Sequence, residues 1–290
     1  MPSPTNPRQI IDTTQDAAIS GGLAPIQQEP ARNRRRKTDP QEDTNIPLNW
    51  VTDKVDKRDY IFRPYLVYAQ SQKVDLRQYC PPIQNQGSLG SCTGYSIGSA
   101  IEILNRKQNK QHLVSKLFIY YNERLLEGTV LYDRGAYIRD GLKAVNRYGA
   151  PLDGLWPYII KKFAVQPSKQ AYDDAIKRRV TVYERCPDFN SVIAALNQHK
   201  PVVVGFYVYS SFLKINRTGI MPYPIVGREL FLGGHAVCLV GYDMAKQTFI
   251  ARNSWGTAWG DGGYFYMPFK VIQNPQMSSD FWTMSVVTNP

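Results

Sequence analysis

Beyond residue 90 the chain alternates between helical and strand-like hydrophobic patterns. After Ser91–Cys92, apolar residues Ile97, Ile101 and Leu104 recur at i, i+4 and i+7, which predicts a helix with one buried face. "SKLFIYYNERLLEG" (115–128) predicts a second helix, with Ser115 as N-cap and Gly128 as stop. "IRDGLKAVNRYGAP" (138–151) predicts a third, ended by Gly149 and Pro151, and "NSVIAALNQHK" (190–200) a fourth. The pattern then changes. "PVVVGFYVYS" (201–210), "HAVCLVGYD" (235–243), "TFIARNSW" (248–255) and "GGYFYMP" (262–268) are short β-branched or aromatic runs between turn signals. No internal repeat is visible. A helical half followed by a sheet half predicts an α+β chain with a cleft between unlike halves, a common place for a site.

Upstream, residues 1–45 are polar and aperiodic, so they are expected to be a disordered basic tail. "LNWVTDKVDKRDYIFRPYLVY" (48–68) differs: Trp50, Tyr60, Phe62, Tyr65 and Tyr68 are apolar anchors that should pack on something. "KVDLRQYCPPIQNQG" follows as an extended, turn-rich approach to the first helix.

Length and composition fit a globular body of about 200–220 residues plus a tail: 290 residues, 43% hydrophobic and 12% aromatic. The net charge of +11 divides into +2 over residues 1–73 and +9 over the rest, so the basicity belongs mainly to the body. It reads as a solvated basic surface or as a bias toward an acidic partner. "RNRRRK", Arg32 to Lys37, fits nucleic-acid contact, nuclear targeting or a protease-sensitive site, or simply a solvated tail. Four cysteines without a C-x-x-C pair exclude a zinc module of the usual spacing and a disulfide-dense scaffold. The first twenty residues lack the apolar core of a secretory signal, and "PVVVGFYVY" is too short to span a bilayer. An intracellular or virion-associated protein without membrane insertion is therefore expected.

The chemistry rests on three stretches. Cys92 sits where a loop becomes a helix, between Gly90 and Gly94. Free N–H groups and the dipole end there favour a thiolate. His235, one of three histidines, follows Gly233–Gly234 and opens an apolar strand, where it needs hydrogen-bond partners and could act as base to Cys92. Asn253, eighteen residues on, could fix the imidazole's tautomer, with Trp255 shielding that bond. Gln86, six residues before Cys92, could join the Cys92 N–H in an oxyanion hole. Taken singly, Cys92 reads first as core filler, and His235 reads equally well as a satisfied structural histidine.

Together, "NQGSLGSC", "GGHAVCLVGYD" and "ARNSWGTAWGDGGYFYM" resemble, in order and spacing, the three signature blocks of the papain/cathepsin cysteine peptidases. "SKLFIYYNERLLEG" and "IRDGLKAVNRYGA" look closest to the bacterial and large-DNA-virus branch. The resemblance implies a papain-like two-subdomain α+β fold. A helical subdomain (74–198) would carry the nucleophile, and an antiparallel β-barrel-like subdomain (199–290) the His and Asn. It implies Cys92, His235, Asn253 and Gln86 as the catalytic set and Gly135, Ala136, Gly234 and Trp255 as substrate-binding residues, with no cofactor or metal. The residues closing the main specificity pocket would lie around "NPQMSSDFW" (274–282).

The departures carry information. Leu89 and Asp133 stand where the family has the two halves of a disulfide, which implies a loop held by packing and hydrogen bonds instead. Thr93 replaces the usual Trp after the nucleophile, and Ala136 the second glycine of the cleft wall. No His-His pair is present, which favours an endopeptidase over a dipeptidyl carboxypeptidase. Residues 46–73 lack a long helical pattern and read either as a short inhibitory pro-segment or as a permanent strap. Cys80 and Cys186 could pair, and Cys238 packs in the strand of His235. Three rivals to a thiol endopeptidase acting on protein or peptide substrates remain: an acyl or amide transferase, a binding protein with a relic site, and a nucleic-acid-associated protein.

Overall fold

The expected helices and strands form, and several elements with weaker patterns join them. The computed structural model describes residues 48–64 and 70–288, so the basic stretch Arg32–Lys37 and the whole 1–45 tail lie outside the described residues. In chain order come β1 (Trp50–Val51), β2 (Lys73–Asp75), α1 (Cys92–Lys107), α2 (Lys116–Glu127), β3 (Ala136–Tyr137) and α3 (Ile138–Arg147). They are followed by α4 (Lys169–Ala175), β4 (Arg178–Arg185), α5 (Phe189–Asn197), β5 (Val202–Tyr209) and α6 (Ser210–Leu213). The chain closes with β6 (Phe231–Asp243), β7 (Thr248–Arg252), β8 (Tyr264–Pro268), α7 (Phe269–Gln273) and β9 (Ser278–Thr288).

Local chemistry sets the ends of α2 as the sequence indicates. The Ser115 hydroxyl accepts the Phe118 N–H at its start, and Gly128 closes it in the left-handed conformation at φ 70°. Asp188 and Ser191 form a reciprocal capping box on α5, an N-cap the pattern of the fourth helix did not reveal. α1 is buried on nearly every face, so it runs through the molecule as a central helix instead of lying on its surface. Its Glu102 makes a fully buried ion pair with Lys116 and accepts the Val114 N–H at 2.8 Å, tying α1 to the start of α2.

The strands build one sheet in the order β4-β9-β5-β6-β7-β8, with β2 also pairing to β6. Neighbours within it are antiparallel. Among the described residues the sheet stays open, so the barrel-like expectation reduces to an open antiparallel sheet. β4 lies within the stretch expected to be helical, yet it pairs along β9 and extends the sheet. One core cluster joins α1 to the sheet; a smaller one gathers Leu117, Phe118, Tyr120 and Trp156 beneath Leu89. All four cysteines are free. Cys80 lies electrostatically against Cys238, whereas Cys186 sits apart by Glu184 and Lys200, which overturns the Cys80–Cys186 pairing.

β1 and β3 form a separate two-stranded ribbon. They pair in parallel, matching Trp50 to Ala136 and Val51 to Tyr137. Asn49 bridges in parallel to Gly234 on the other side. The segment 48–51 therefore lies between the helical half and the sheet.

Candidate active site

Cys92 is the first residue of α1 and is fully buried. Burial pushes its thiol up to about 12; the N–H of Ala236 offsets this in part, the buried carboxyl of Glu123 adds to it, and the N–H groups of Asn49 and Thr93 oppose it. The sulfur thus sits among backbone amides from α1, from β6 just past His235, and from the N-terminal segment.

His235 stands in β6 opposite Phe206 of β5. It has no solvent exposure, and burial lowers its pKa to about 4, against the Asn253 hydrogen bond that raises it. Nε2 lies 2.8 Å from Asn253 Oδ1. That oxygen also accepts the Ser254 N–H at 2.8 Å, which fixes the amide's orientation. A carbonyl oxygen only accepts, so Nε2 carries the ring proton and Nδ1 is left as the bare lone pair. Nδ1 has no hydrogen-bond partner. Trp255 covers the imidazole, with centroids 4.8 Å apart and planes 31° apart. Trp259 and Phe212 pack edge-on behind Trp255. Asn253 is held from below by its own N–H to Gly263 O at 3.0 Å.

Gln86 is buried in the turn ahead of α1. Its Nε2 donates to Leu89 O at 3.0 Å, and its Oε1 accepts the Ser254 hydroxyl at 2.5 Å. One of the two amide hydrogens is spent on Leu89 and the other is left over. Ser254 thus links Gln86 to Asn253, a connection the linear spacing did not suggest. The loop holding Gln86 and Cys92 has no covalent clasp. Asp133 accepts the Gly90 N–H at 3.0 and 3.1 Å and also takes the Tyr120 hydroxyl, while Leu89 packs into the smaller core cluster. Thr93, in place of a tryptophan, donates to Glu123 at 2.5 Å, and burial raises the Glu123 carboxyl well above its ordinary range.

Three of the four expected substrate-binding residues touch the N-terminal segment. Gly135 has φ 72°, and a Cβ there would fall 1.5 Å from Asn49 O. Ala136 is in register with Trp50. A Cβ on Gly234 would fall 2.5 Å from Trp50 O. Trp255, the fourth, faces His235. The sequence reading left open whether the 48–68 stretch crosses the cleft or straps the body; the contacts of Asn49 and Trp50 put these two residues between β3 and β6. Trp50 is only 5% exposed, and its ring lies 5.4 Å from that of Tyr207. The apolar Trp50 inside a polar stretch was the available signal, though the sequence did not choose between the two readings.

Among the described residues no cluster of His, Cys, Asp or Glu is arranged to hold a metal ion, and no helix is long and apolar enough to cross a membrane.

Comparison with known proteins identifies the family and the fold. The family model for papain family cysteine proteases matches residues 70–283. An uncharacterized peptidase C1-like protein of Acanthamoeba polyphaga mimivirus is 40% identical over 220 residues, covering 71% of this chain and 70% of its own. Chymopapain of Carica papaya is 26% identical over 216 residues, which span 72% of this chain and 57% of that one. The crystal structure of xylellain, a cysteine protease from Xylella fastidiosa, superposes with a TM-score of 0.78 at 35% identity, over 85% of this chain and 97% of its own. The family model spans most of the chain and a relative shares 40% identity over 71% of it, which places it plainly: this protein belongs to the papain family of cysteine proteases.

Proposed function

We propose that the chain is a cysteine endopeptidase using Cys92, His235 and Asn253, with Gln86 at the oxyanion, and that residues 48–62 hold it in a covered, inactive form. The observation that carries the reading is the His235–Asn253 bond at 2.8 Å, which leaves Nδ1 proton-free in a site whose sulfur lies by the adjoining Ala236 N–H.

Nδ1 takes the thiol proton as Cys92 Sγ attacks the scissile carbonyl carbon. The carbonyl π pair moves to oxygen, where the Cys92 N–H and the spare Gln86 amide hydrogen stabilise it. Collapse breaks the C–N bond, His235 passes its proton to the departing amine, and a thioester remains. Water, deprotonated by His235, then attacks the thioester; the acid leaves and the thiol is restored. Asn253 holds the ring throughout and accepts from Nε2.

The covering segment explains the resting state. It presents the Asn49 amide N–H to the sulfur. It also keeps the site dry, which leaves Cys92 near 12 and His235 near 4, so at neutral pH both are uncharged and the thiolate–imidazolium pair does not form. Removing the cover admits water, lowers the desolvation cost of both charges and lets the pair form.

The test is hydrolysis of fluorogenic peptides and covalent labelling by an epoxide-type thiol trap. Both should be slow in the covered chain, rise when the segment is loosened by Trp50→Ala, and vanish in Trp50→Ala/Cys92→Ala. Activity that survives loss of Cys92 refutes the assignment. Product analysis with an added amine separates hydrolysis from acyl transfer.

A further inference from the structure

Thr93, the residue after the nucleophile, does not turn to solvent. It is buried, and its hydroxyl donates at 2.5 Å to Oε1 of Glu123 on α2, which is itself without exposure. The Thr93 N–H is one of the amides that face the Cys92 sulfur, so whatever fixes Thr93 fixes a donor to the nucleophile. On its other side the Glu123 carboxyl presses on α3. A Cβ at Gly141 would fall 2.5 Å from Oε2 and 2.4 Å from Ile97 Cδ1. Gly141 has no positive φ and weakens a helix interior, so the close approach of Glu123 and Ile97 is what calls for glycine there. One buried carboxyl therefore joins the first turn of α1 to α3.

The surroundings do not suit a charge. Arg124, next in the chain, spends its guanidinium on the carbonyls of Tyr120, Val130 and Phe163. Glu123 Oε2 receives no hydrogen bond. The carboxyls of Glu127 on α2 and Asp140 on α3 face it, and the Tyr120 phenol and the Cys92 thiol lie close enough to feel its charge. A carboxylate served by one hydroxyl in a dry, acidic surrounding is costly, and a carboxylic acid is not. The acid carries its proton on Oε2, which is why that oxygen needs no donor.

On the protease reading above, we propose that Glu123 is a positioning residue for the nucleophile: through Thr93 it pins the first turn of α1 against α2, and it does so as the carboxylic acid. The pinned turn holds the Thr93 N–H on the sulfur and the Cys92 N–H where the oxyanion forms. The uncharged state serves the same end. An anion at Glu123 opposes the thiolate, so ionisation of this carboxyl in alkali works against the sulfur that alkali would otherwise ionise. Glu123 touches no reacting atom; it acts through Thr93 and by withholding charge.

The experiment uses the full chain carrying Trp50→Ala, to loosen the proposed cover, and reads peptide hydrolysis and the pH profile of Cys92 labelling by the thiol trap. Thr93→Val and Glu123→Leu should each lower kcat about tenfold, the effect of leaving one buried partner unsatisfied, with KM changed by less than about twofold. Together they should cost no more than either alone, since the pair is then removed as a unit. Glu123→Gln keeps the shape and an acceptor oxygen without charge, and should restore kcat to within about threefold of the parent. Its labelling should keep rising in alkali, where the parent falls behind as the carboxyl ionises. Should Glu123→Leu fail to fold, Thr93→Val carries the same test from the other side of the bond. A loss in Glu123→Gln as large as in Glu123→Leu makes a carboxylate the working form and overturns the proposal. Lower thermal stability of Thr93→Val and Glu123→Leu, with kcat and the labelling profile unmoved, makes the pair structural only and overturns it as well. No cleavage of any peptide together with no labelling of Cys92 in the Trp50→Ala parent overturns the protease reading, and the role of Glu123 with it.

Discussion

The N-terminal segment is held at its two ends by different physics. Residues 48–51 lie in the groove through backbone pairing to Ala136 and Gly234 and a buried indole, with hardly a charge involved. Residues 53–62 are held by a buried lattice of ions. Asp59 takes a two-pronged bond from Arg139 at 2.6 and 2.9 Å, and Arg139 also donates to Lys54 O. Asp53 accepts the Arg139 N–H and the Trp282 Nε1–H, and its own N–H donates to Asp280 at 2.7 Å. Arg185 reaches both Asp59 and Asp280, and Arg139 and Arg185 each lie 5.6 Å from the Trp282 ring. One end is a plug shaped to the groove; the other is a latch whose strength depends on charge state. The plug should ignore pH and the latch should feel it.

The largest effect should come from cutting the latch. Arg139→Ala leaves Asp59 and Asp53 buried with less positive charge; breaking such a pair costs about 3–5 kcal/mol. Residues 53–62 should then become sensitive to limited proteolysis while the body stays resistant. Should the segment stay protected, the plug alone suffices. Next comes the plug. Trp50→Ala removes the buried indole at about 3 kcal/mol, the low end for a buried tryptophan, and should speed labelling of Cys92 by roughly a hundredfold. An unchanged rate would mean the ionic end keeps the groove shut.

The pH dependence divides the two ends directly. Burial, with Asp280 adding to it, raises Asp53 from 3.8 to about 7, and burial raises Asp280 as well. A carboxyl whose pKa is raised on docking favours docking when protonated. The contribution is full below about 4 and is lost as pH climbs through about 7. Arg139 of α3, Arg185 of β4 and Asp59 of the segment itself are the other charged groups that face this pair. Protection of residues 53–62 against an added protease should therefore weaken by roughly ten- to a hundredfold from pH 4 to 7. Asp280→Asn should shrink the change with pH without abolishing it, because the burial of Asp53 remains, while Trp50→Ala should shift the profile without changing its shape. A profile that tightens with rising pH contradicts the latch.

The smallest effect concerns the nucleophile's loop. Asp133→Asn removes the charge that holds the Gly90 N–H and the Tyr120 hydroxyl, at about 1 kcal/mol. A several-fold drop in kcat with little change in KM is expected once the groove is open. No change in either would place the support of the loop in the packing of Leu89.

Much of the site could be read from the residues because its chemistry is local. Cys92 at a helix start, a glycine pair before His235, and Asn253 in a turn-rich aromatic block each leave a mark on the sequence, and their order and spacing join them. Gln86 is read the same way. Ser254 is not, because its link from Gln86 to Asn253 crosses 168 positions. β4, α4 and β9 escaped because their apolar residues alternate weakly and their pairing partners are distant. The barrel-like expectation gave way because closure depends on how far a sheet curls, which period-two patterning does not encode.

For this protein the sequence by itself determined the caps and stops of α2, the helical and strand-like halves, and the residue types able to carry thiol chemistry, since each depends on neighbours within a few positions. Only the tertiary structure decided that Asn49 and Trp50 lie against Gly135 and Gly234, that the glycine in β5 makes room for an indole, and that Asp53 and Asp280 are buried together 227 positions apart. These depend on which surfaces exclude water from one another, and that is settled by the packing of the whole chain.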